Sequence, residues 1–363
     1  MKFEIFCSFS VIALTSVFAA PPSMIAFGDN LITFDDYSNA DSDMPYYKGG
    51  RTNGPVWSQY ASYFSGRKLI SYAVSNSVSN NTFIQQNANV TVEAQSFIEQ
   101  VDSYKKTFDG INKDGIANDT VIISAGFNDI MLLQEKIIKN PPKYLNVVDK
   151  IADTIIEGIT KLEDMGYLNF IVTTIPRFSI LPKFASLPSR TGLGLDYVTD
   201  YVNIKLLRYL YGNKYSKSKT RKNFVLDFFG FNNNYMVEKK MLKLVGVTNY
   251  GSACYSAKSN STILPTCKDP RNFFFFDDIN PTTVIHALYG AITSDVLNGK
   301  SFIFTNSYYK KMIDRYSINS IYTNSTDNNY LNSTVINAIE ELSMNRMQAV
   351  QASQTIFEEK NQL

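Results

Sequence analysis

The sequence predicts an α/β fold in which a parallel sheet is covered by helices on both faces, and three observations lead there. Five short apolar runs, Met24 to Phe27, Lys68 to Val74, Thr120 to Ser124, Phe170 to Ile175 and Phe224 to Phe228, read as strands, and turn residues follow most of them. Helical patterns lie between the runs, an alternation that brings strands together in parallel with helices on the faces. Finally, 44% of the 363 residues are hydrophobic and 13% aromatic, enough apolar side chain for one large core.

Taken in order, the chain opens on MKFEIFCSFSVIALTSVFAAPP: Lys2, an apolar run from Phe3 to Phe18, then Val17 and Ala19 at the small-residue positions before a cleavage point. Residues 1–19 read as a secretory signal peptide. An uncleaved anchor is the alternative, but the run is shorter than the roughly 20 apolar residues a membrane span needs. Residues 20–299 carry the strand and helix alternation. The clearest helix there is Lys143 to Met165, where Val147, Val148, Ile151, Ile155, Ile159 and Leu162 recur at helical spacing before Gly166 stops it. From Lys300 to residue 363 the composition turns to Tyr, Asn, Ser and Lys, with TNSTDNNYLNST as a low-complexity stretch. An amphipathic run follows, with Val335, Ile339, Leu342 and Val350 along one face. This extension docks on the domain, pairs with another chain or lies on a surface.

Charge and cysteine usage narrow the class. Thirty-five Lys and Arg against 33 Asp and Glu give a net charge of +2, so there is no basic stripe for a phosphate backbone, and nucleic acid is not an expected partner. The basic stretch Lys214 to Lys222 is short and reads as a solvated loop. No later segment is long and apolar enough to cross a membrane. Removal of Cys7 with the leader leaves Cys254 and Cys267, an even pair that suits an oxidising compartment; one disulfide is expected, two free buried thiols being the alternative. Asn-x-Ser/Thr triplets at Asn80, Asn89, Asn118, Asn260, Asn324 and Asn332 fit a secreted, extracellular or wall-associated glycoprotein, although an Asn-rich chain also produces such triplets by chance. Phe273 to Phe276 reads as buried core rather than a ligand platform.

In open parallel sheets ligands sit beyond the carboxyl ends of the strands. There the chain places Gly28-Asp29-Asn30, Ser75-Asn76-Ser77, Gly126-Phe127-Asn128-Asp129 and the late segment Asp277-Asp278-Ile279-Asn280-Pro281-Thr282, each with an Asn. Together with neighbouring residues these form five ordered blocks: FGDNL, GGRTNGPVWSQY, SYAVSNS, ISAGFND and DDINPTTVIH. In that order they resemble the signatures of the GDSL lipase/acylhydrolase (SGNH hydrolase) family, in its secreted fungal and plant branch, over about Met24 to Gly299.

The resemblance implies a three-layer α/β/α sandwich on a five-stranded parallel sheet, flavodoxin-like, and a serine esterase needing no cofactor. Asn30 stands at the nucleophile position, Asn280 at the base position and Asp277 at the orienting-acid position. The oxyanion hole maps onto the backbone amides of Asn30 and Asn76 and the side-chain amide of Asn128. An amide offers no ionisable oxygen nucleophile and shuttles no proton near neutral pH, so Asn30 and Asn280 break the triad twice. Thr33, Ser75 and Ser77 are nearby hydroxyls, but a nucleophile needs a base within reach. The one histidine, His286, is expected in a structural role, pointing away from the site. One histidine without clustered carboxylates makes no transition-metal site. Arg51 and Trp57 belong to the second block and are expected to pack the first helix. The leading expectation is a secreted pseudoenzyme that binds a carbohydrate or ester ligand, as in a cell wall or extracellular polysaccharide, with simple decay of the site as the competing account of its Asn cluster. The alternatives are an active carboxylic-ester hydrolase with an unrecognised nucleophile and a structural wall or coat component.

Overall fold

The computed structural model describes residues 21–34, 46–185, 189–212, 222–227, 235–257, 263–265, 267–300, 305–323 and 331–362. The leader at 1–19, Phe228, Asn260, Asn324 and most of the Lys214–Lys222 stretch lie outside them. Within them the strands are β1 (Met24–Gly28), β2 (Leu69–Ser71), β3 (Thr120–Ser124), β4 (Asn169–Thr173), β5 (Lys222–Leu226), β6 (Asn249–Ala253), β7 (Tyr255–Ala257), β8 (Ile263–Pro265), β9 (Phe273–Phe275) and β10 (Ser343–Met344). The main sheet has the order β10-β2-β1-β3-β4-β5, every pair parallel.

All five predicted strands are in this sheet, and their apolar residues are the reason: Ile25, Ala26, Phe27, Val121, Ile122 and Ile123 are almost fully buried, as strands covered on both faces must be. The sheet nevertheless has six strands rather than the expected five. The sixth, β10, comes from the extension, and two residues are too few for a strand to leave a period in sequence.

Helices pack in two groups, giving three layers. One holds Trp57–Ser65, Thr283–Leu297 and Ser333–Leu342; the other holds Phe97–Thr107, Phe127–Lys139, Leu145–Met165 and Ser189–Tyr211. Helix Leu145–Met165 starts two residues later than its pattern suggested, because Pro141–Tyr144 forms a 3-10 turn. It buries Val148, Ile151, Ile155, Ile159 and Leu162, each contributing about 1.5–3 kcal/mol of apolar burial, and ends at Gly166, whose φ of 118° a residue with a Cβ rarely adopts.

Of the three arrangements open to the extension, the structure has it packed on the domain. Helix Asn306–Arg315 brings Tyr308 and Arg315 to the buried Asp295 carboxylate, which accepts hydrogen bonds from Tyr308 Oη at 2.7 Å, Tyr316 Oη at 2.6 Å and Arg315 Nη1 at 2.7 Å. Helix Ser333–Leu342 buries Ile336 and Ile339. Val350 does not share that face: β10 interrupts the helical register, and Val350 lies 56% exposed on the next helix, Arg346–Gln351. The last helix, Ser353–Asn361, inserts Lys360 so that its Nζ donates to Asp119 Oδ1 at 2.8 Å, with both side chains buried. Gly115 permits this approach, since a Cβ there would lie 2.0 Å from the Lys360 carbonyl oxygen. Cys254 and Cys267 form the expected disulfide beside the β7–β8 hairpin. No helix among the described residues is long and apolar enough to cross a membrane.

Candidate functional site

The carboxyl ends of β1 and β3, and the turn that follows β2, meet at one cavity of about 530 Å³, whose lining includes Asn30, Asn76, Asn128, Asp277 and Asn280. The sheet register makes this meeting. Gly28 lies against Ser124 so closely that a Cβ would sit 1.7 Å from the Ser124 carbonyl oxygen, which places Asn30 just beyond β3. Tyr72 and Val74 continue the ladder past β2, donating to Ala26 O at 2.8 Å and Gly28 O at 3.0 Å, and thereby carry Asn76 alongside Asn30.

Two buried side chains hold these turns, Gln100, which the sequence did not point to, and Asp129 of the fourth block. Gln100, from helix Phe97–Thr107, accepts from Gly28 N at 2.8 Å and donates Nε2 to Gly28 O at 3.0 Å and to Ser77 Oγ at 2.9 Å. Asp129 accepts the Ser79 amide on both oxygens, at 3.0 and 2.9 Å, and the Ser79 hydroxyl as well. Burial raises the Asp129 carboxyl to about 6, against the pull of its Ser79 hydrogen bonds. Asp29, next to Asn30, is raised to about 7, again chiefly by burial, with Leu31 N–H opposing and the Asp129 charge adding to the rise.

Asn30 Oδ1 accepts the Asn76 backbone N–H at 2.5 Å. Asn76 has a φ of 60°, the left-handed conformation that asparagine tolerates better than most residues. The amide that the resemblance assigned to the oxyanion hole is thus already occupied. Asn128, near the N-terminus of helix Phe127–Lys139, donates Nδ2 to Ser77 O at 2.8 Å, one of the two N–H groups it carries.

Opposite lies the Asp277 turn. Asp277 Oδ1 accepts from Ile279 N at 2.7 Å and Asn280 N at 2.5 Å, and Oδ2 accepts from Asn280 Nδ2 at 2.8 Å and Tyr46 Oη at 2.7 Å. Burial raises the Asp277 carboxyl above the ordinary carboxylate value, and the hydrogen bonds from Asn280, Tyr46 and Ile279 pull against it. Asn280 therefore makes the N–H to carboxylate contact that a histidine would make there. The second block clamps this turn: Thr52 Oγ1 donates to Pro281 O at 2.7 Å, Asn53 Oδ1 accepts Thr283 N at 2.9 Å and Trp57 N donates to His286 Nδ1 at 3.1 Å.

That last bond fixes the role of His286. Its ring is buried, its Nδ1 is an acceptor, and burial depresses its pKa to about 3, so it stays neutral and turned toward Trp57. The helix it sits on begins at Thr283, with Thr282 as N-cap. The alternative hydroxyls are engaged or buried: Thr33 Oγ1 donates to Asp29 O at 2.7 Å, Ser77 Oγ accepts from Gln100, and Ser75 is 1% exposed.

Arg51 lines the cavity, with its guanidinium 5.5 Å from the centre of the Tyr46 ring. Trp57 is buried in that helix. Tyr46 and Tyr255 both line the cavity and rest on buried Phe276, at ring separations of 5.9 and 5.1 Å. A second cavity of about 340 Å³ shares Asn76, Asn128 and Met131 with the first and runs on along Val92, Glu93 and Leu132.

Four of the six glycosylation triplets fall on described residues. Asn89 and Asn118 are exposed, whereas Asn80 Oδ1 caps a helix at Phe83 N and Asn332 is bonded on both side-chain atoms, accepting from Thr334 N and donating to Ser320 O.

No curated protein matches the chain. The GDSL-like lipase/acylhydrolase family model matches residues 24–291, from the first residue of β1 into the helix that carries His286, and the chain belongs to that family.

Proposed function

We propose that this family member is exported and catalytically silent, and that it binds a hydroxyl- or amide-bearing glycan in the cavity where its relatives hydrolyse esters. One observation carries the reading: Asn30 Oδ1 accepts the Asn76 amide at 2.5 Å, so the residue at the nucleophile position has no attacking oxygen and also fills the hole that would stabilise an oxyanion. Asn280 completes the loss, since an amide held against Asp277 takes no proton from an incoming nucleophile. His286 does not replace it.

Support for binding comes from the polar shell around the cavity, with Asn128 carrying a second N–H, and from Tyr46 and Tyr255 at its wall, which suit the apolar faces of sugar rings. Export is supported by the leader pattern, the glycosylation triplets and the disulfide.

The test uses the purified mature chain. It should hydrolyse short-chain aryl esters no faster than a heat-inactivated control and bind a glycan panel by calorimetry, with Asn128→Ala weakening that binding about tenfold, roughly the loss of one well-placed hydrogen bond. Turnover by the native chain, or no binding across the panel, would overturn the reading.

A further inference from the structure

The family match stops at residue 291, yet the extension beyond it touches the turn that carries part of the cavity wall. The turn from Tyr46 to Arg51 is the link. Its neighbouring tyrosines reach opposite ways: Tyr46 Oη donates to Asp277 Oδ2 at 2.7 Å, and Tyr47 Oη donates to Glu340 Oε1 at 2.5 Å. Lys48 Nζ reaches the same Glu340 oxygen at 2.6 Å. Glu340 is placed by helix Ser333–Leu342, whose Ile336 and Ile339 are buried and which packs on helix Trp57–Ser65.

The backbone of this turn is strained at one position, and Glu340 meets the side chain there. Lys48 has a φ of 43°, a left-handed conformation unfavourable for a lysine, and its side chain ends on Glu340. Within the turn, Tyr47 N donates to Thr52 O at 2.8 Å and Gly50 N to Tyr47 O at 2.9 Å. On its cavity side the turn presents Tyr46 and Arg51, and Tyr46 supplies one of the hydrogen bonds that hold the Asp277 carboxylate.

We propose that Glu340 is a positioning residue of the site: by holding Tyr47 and Lys48 it fixes the wall formed by Tyr46 and Arg51, so the extension is a working part of the pocket. Its effect on ligand affinity rests on the binding reading above; its effect on the wall does not.

The experiment compares the full mature chain with Glu340→Ala and Glu340→Gln by hydrogen exchange of backbone amides and by urea unfolding. Glutamine keeps a carbonyl acceptor for Tyr47 Oη and Lys48 Nζ. In Glu340→Ala, exchange across 46–52 and 277–280 should quicken about tenfold while other segments keep their protection, and Glu340→Gln should restore most of it. Chitohexaose, an amide-bearing glycan, is then titrated into all three proteins, with about tenfold weaker binding expected for the alanine variant alone. Unchanged exchange over 46–52 in Glu340→Ala, or exchange quickened throughout the chain, would overturn the proposal. Failure of chitohexaose to bind even the native chain would count against the binding reading, and the exchange result would still decide the role of Glu340.

Discussion

Restoring Asn30→Ser and Asn280→His together should convert the chain into an esterase, and the two changes should be strongly non-additive. The structure gives reasons for each. A serine at 30 no longer reaches the Asn76 amide, which frees a donor that Asn30 Oδ1 now occupies at 2.5 Å. One oxyanion-hole donor is worth about 10²- to 10³-fold in turnover. A histidine at 280 meets an acceptor already in place, because Asp277 Oδ2 receives the Asn280 amide at 2.8 Å and is fixed from its other side by Tyr46. Nucleophile and base act as a unit, so either one alone recovers almost nothing. The expected outcome is a native chain and two single variants indistinguishable from background on p-nitrophenyl acetate, and a double variant at least about 10³-fold faster, equivalent to about 4 kcal/mol of barrier. Adding Asn128→Ala to the double variant should remove most of the gain. Two results would refute the reasoning: Asn30→Ser alone matching the double variant, which would place the base elsewhere, or a folded double variant no faster than the native chain, which would mean that the hole is not where we assign it.

Three further outcomes can be measured. Lys360→Met leaves the buried Asp119 carboxylate without its cation and should cost about 3–5 kcal/mol in urea unfolding, most of it recovered in Asp119→Asn/Lys360→Met; a loss below about 1 kcal/mol would show the pair to be solvated. Asp29 is raised from 3.8 to about 7, so between those values the native state holds a proton that the unfolded state has released. Stability from this group is therefore complete below about pH 4 and is lost as pH rises to 7; Asp29→Asn should flatten the native chain's stability profile over that range, and parallel profiles would contradict the burial argument. On export from a eukaryotic host, peptide mass spectrometry should find glycan at exposed Asn118 in preference to Asn332, whose Nδ2 is engaged with Ser320 O; full occupancy of Asn332 and none at Asn118 would show that the host modifies the chain before these contacts form.

What the sequence reveals of this molecule is governed by distance along the chain. The buried strands were readable because each is a local apolar run, and the four asparagines because each sits in a short block at a strand end or in the turn before a helix. Residues acting across long separations left no such trace: Tyr46 meets Asp277 from 231 positions away, Gln100 meets Gly28 from 72, and neither belongs to a recognisable motif. The place of Arg51 in the cavity lining was not legible either, since its block names the residue but not the surface it faces. The extension was legible as amphipathic but not in register, because two extended residues at Ser343–Met344 reset the helical phase. The engagement of Asn30 with Asn76 lay beyond any pattern, being a matter of where one amide points.

The pairing of β10 with β2 also has a consequence for how the protein is made. Leu69 and Ile70 find their partners in Ser343 and Met344, and Asp119 meets Lys360 across 241 positions, so neither contact exists until the extension has been synthesised. Until then one edge of the sheet carries unpaired backbone groups and Asp119 lacks its ion-pair partner. Such long-range closure slows folding and leaves an open edge available to other chains. Emergence of the extension, rather than of the catalytic-family segment, is therefore the event that completes this sheet edge.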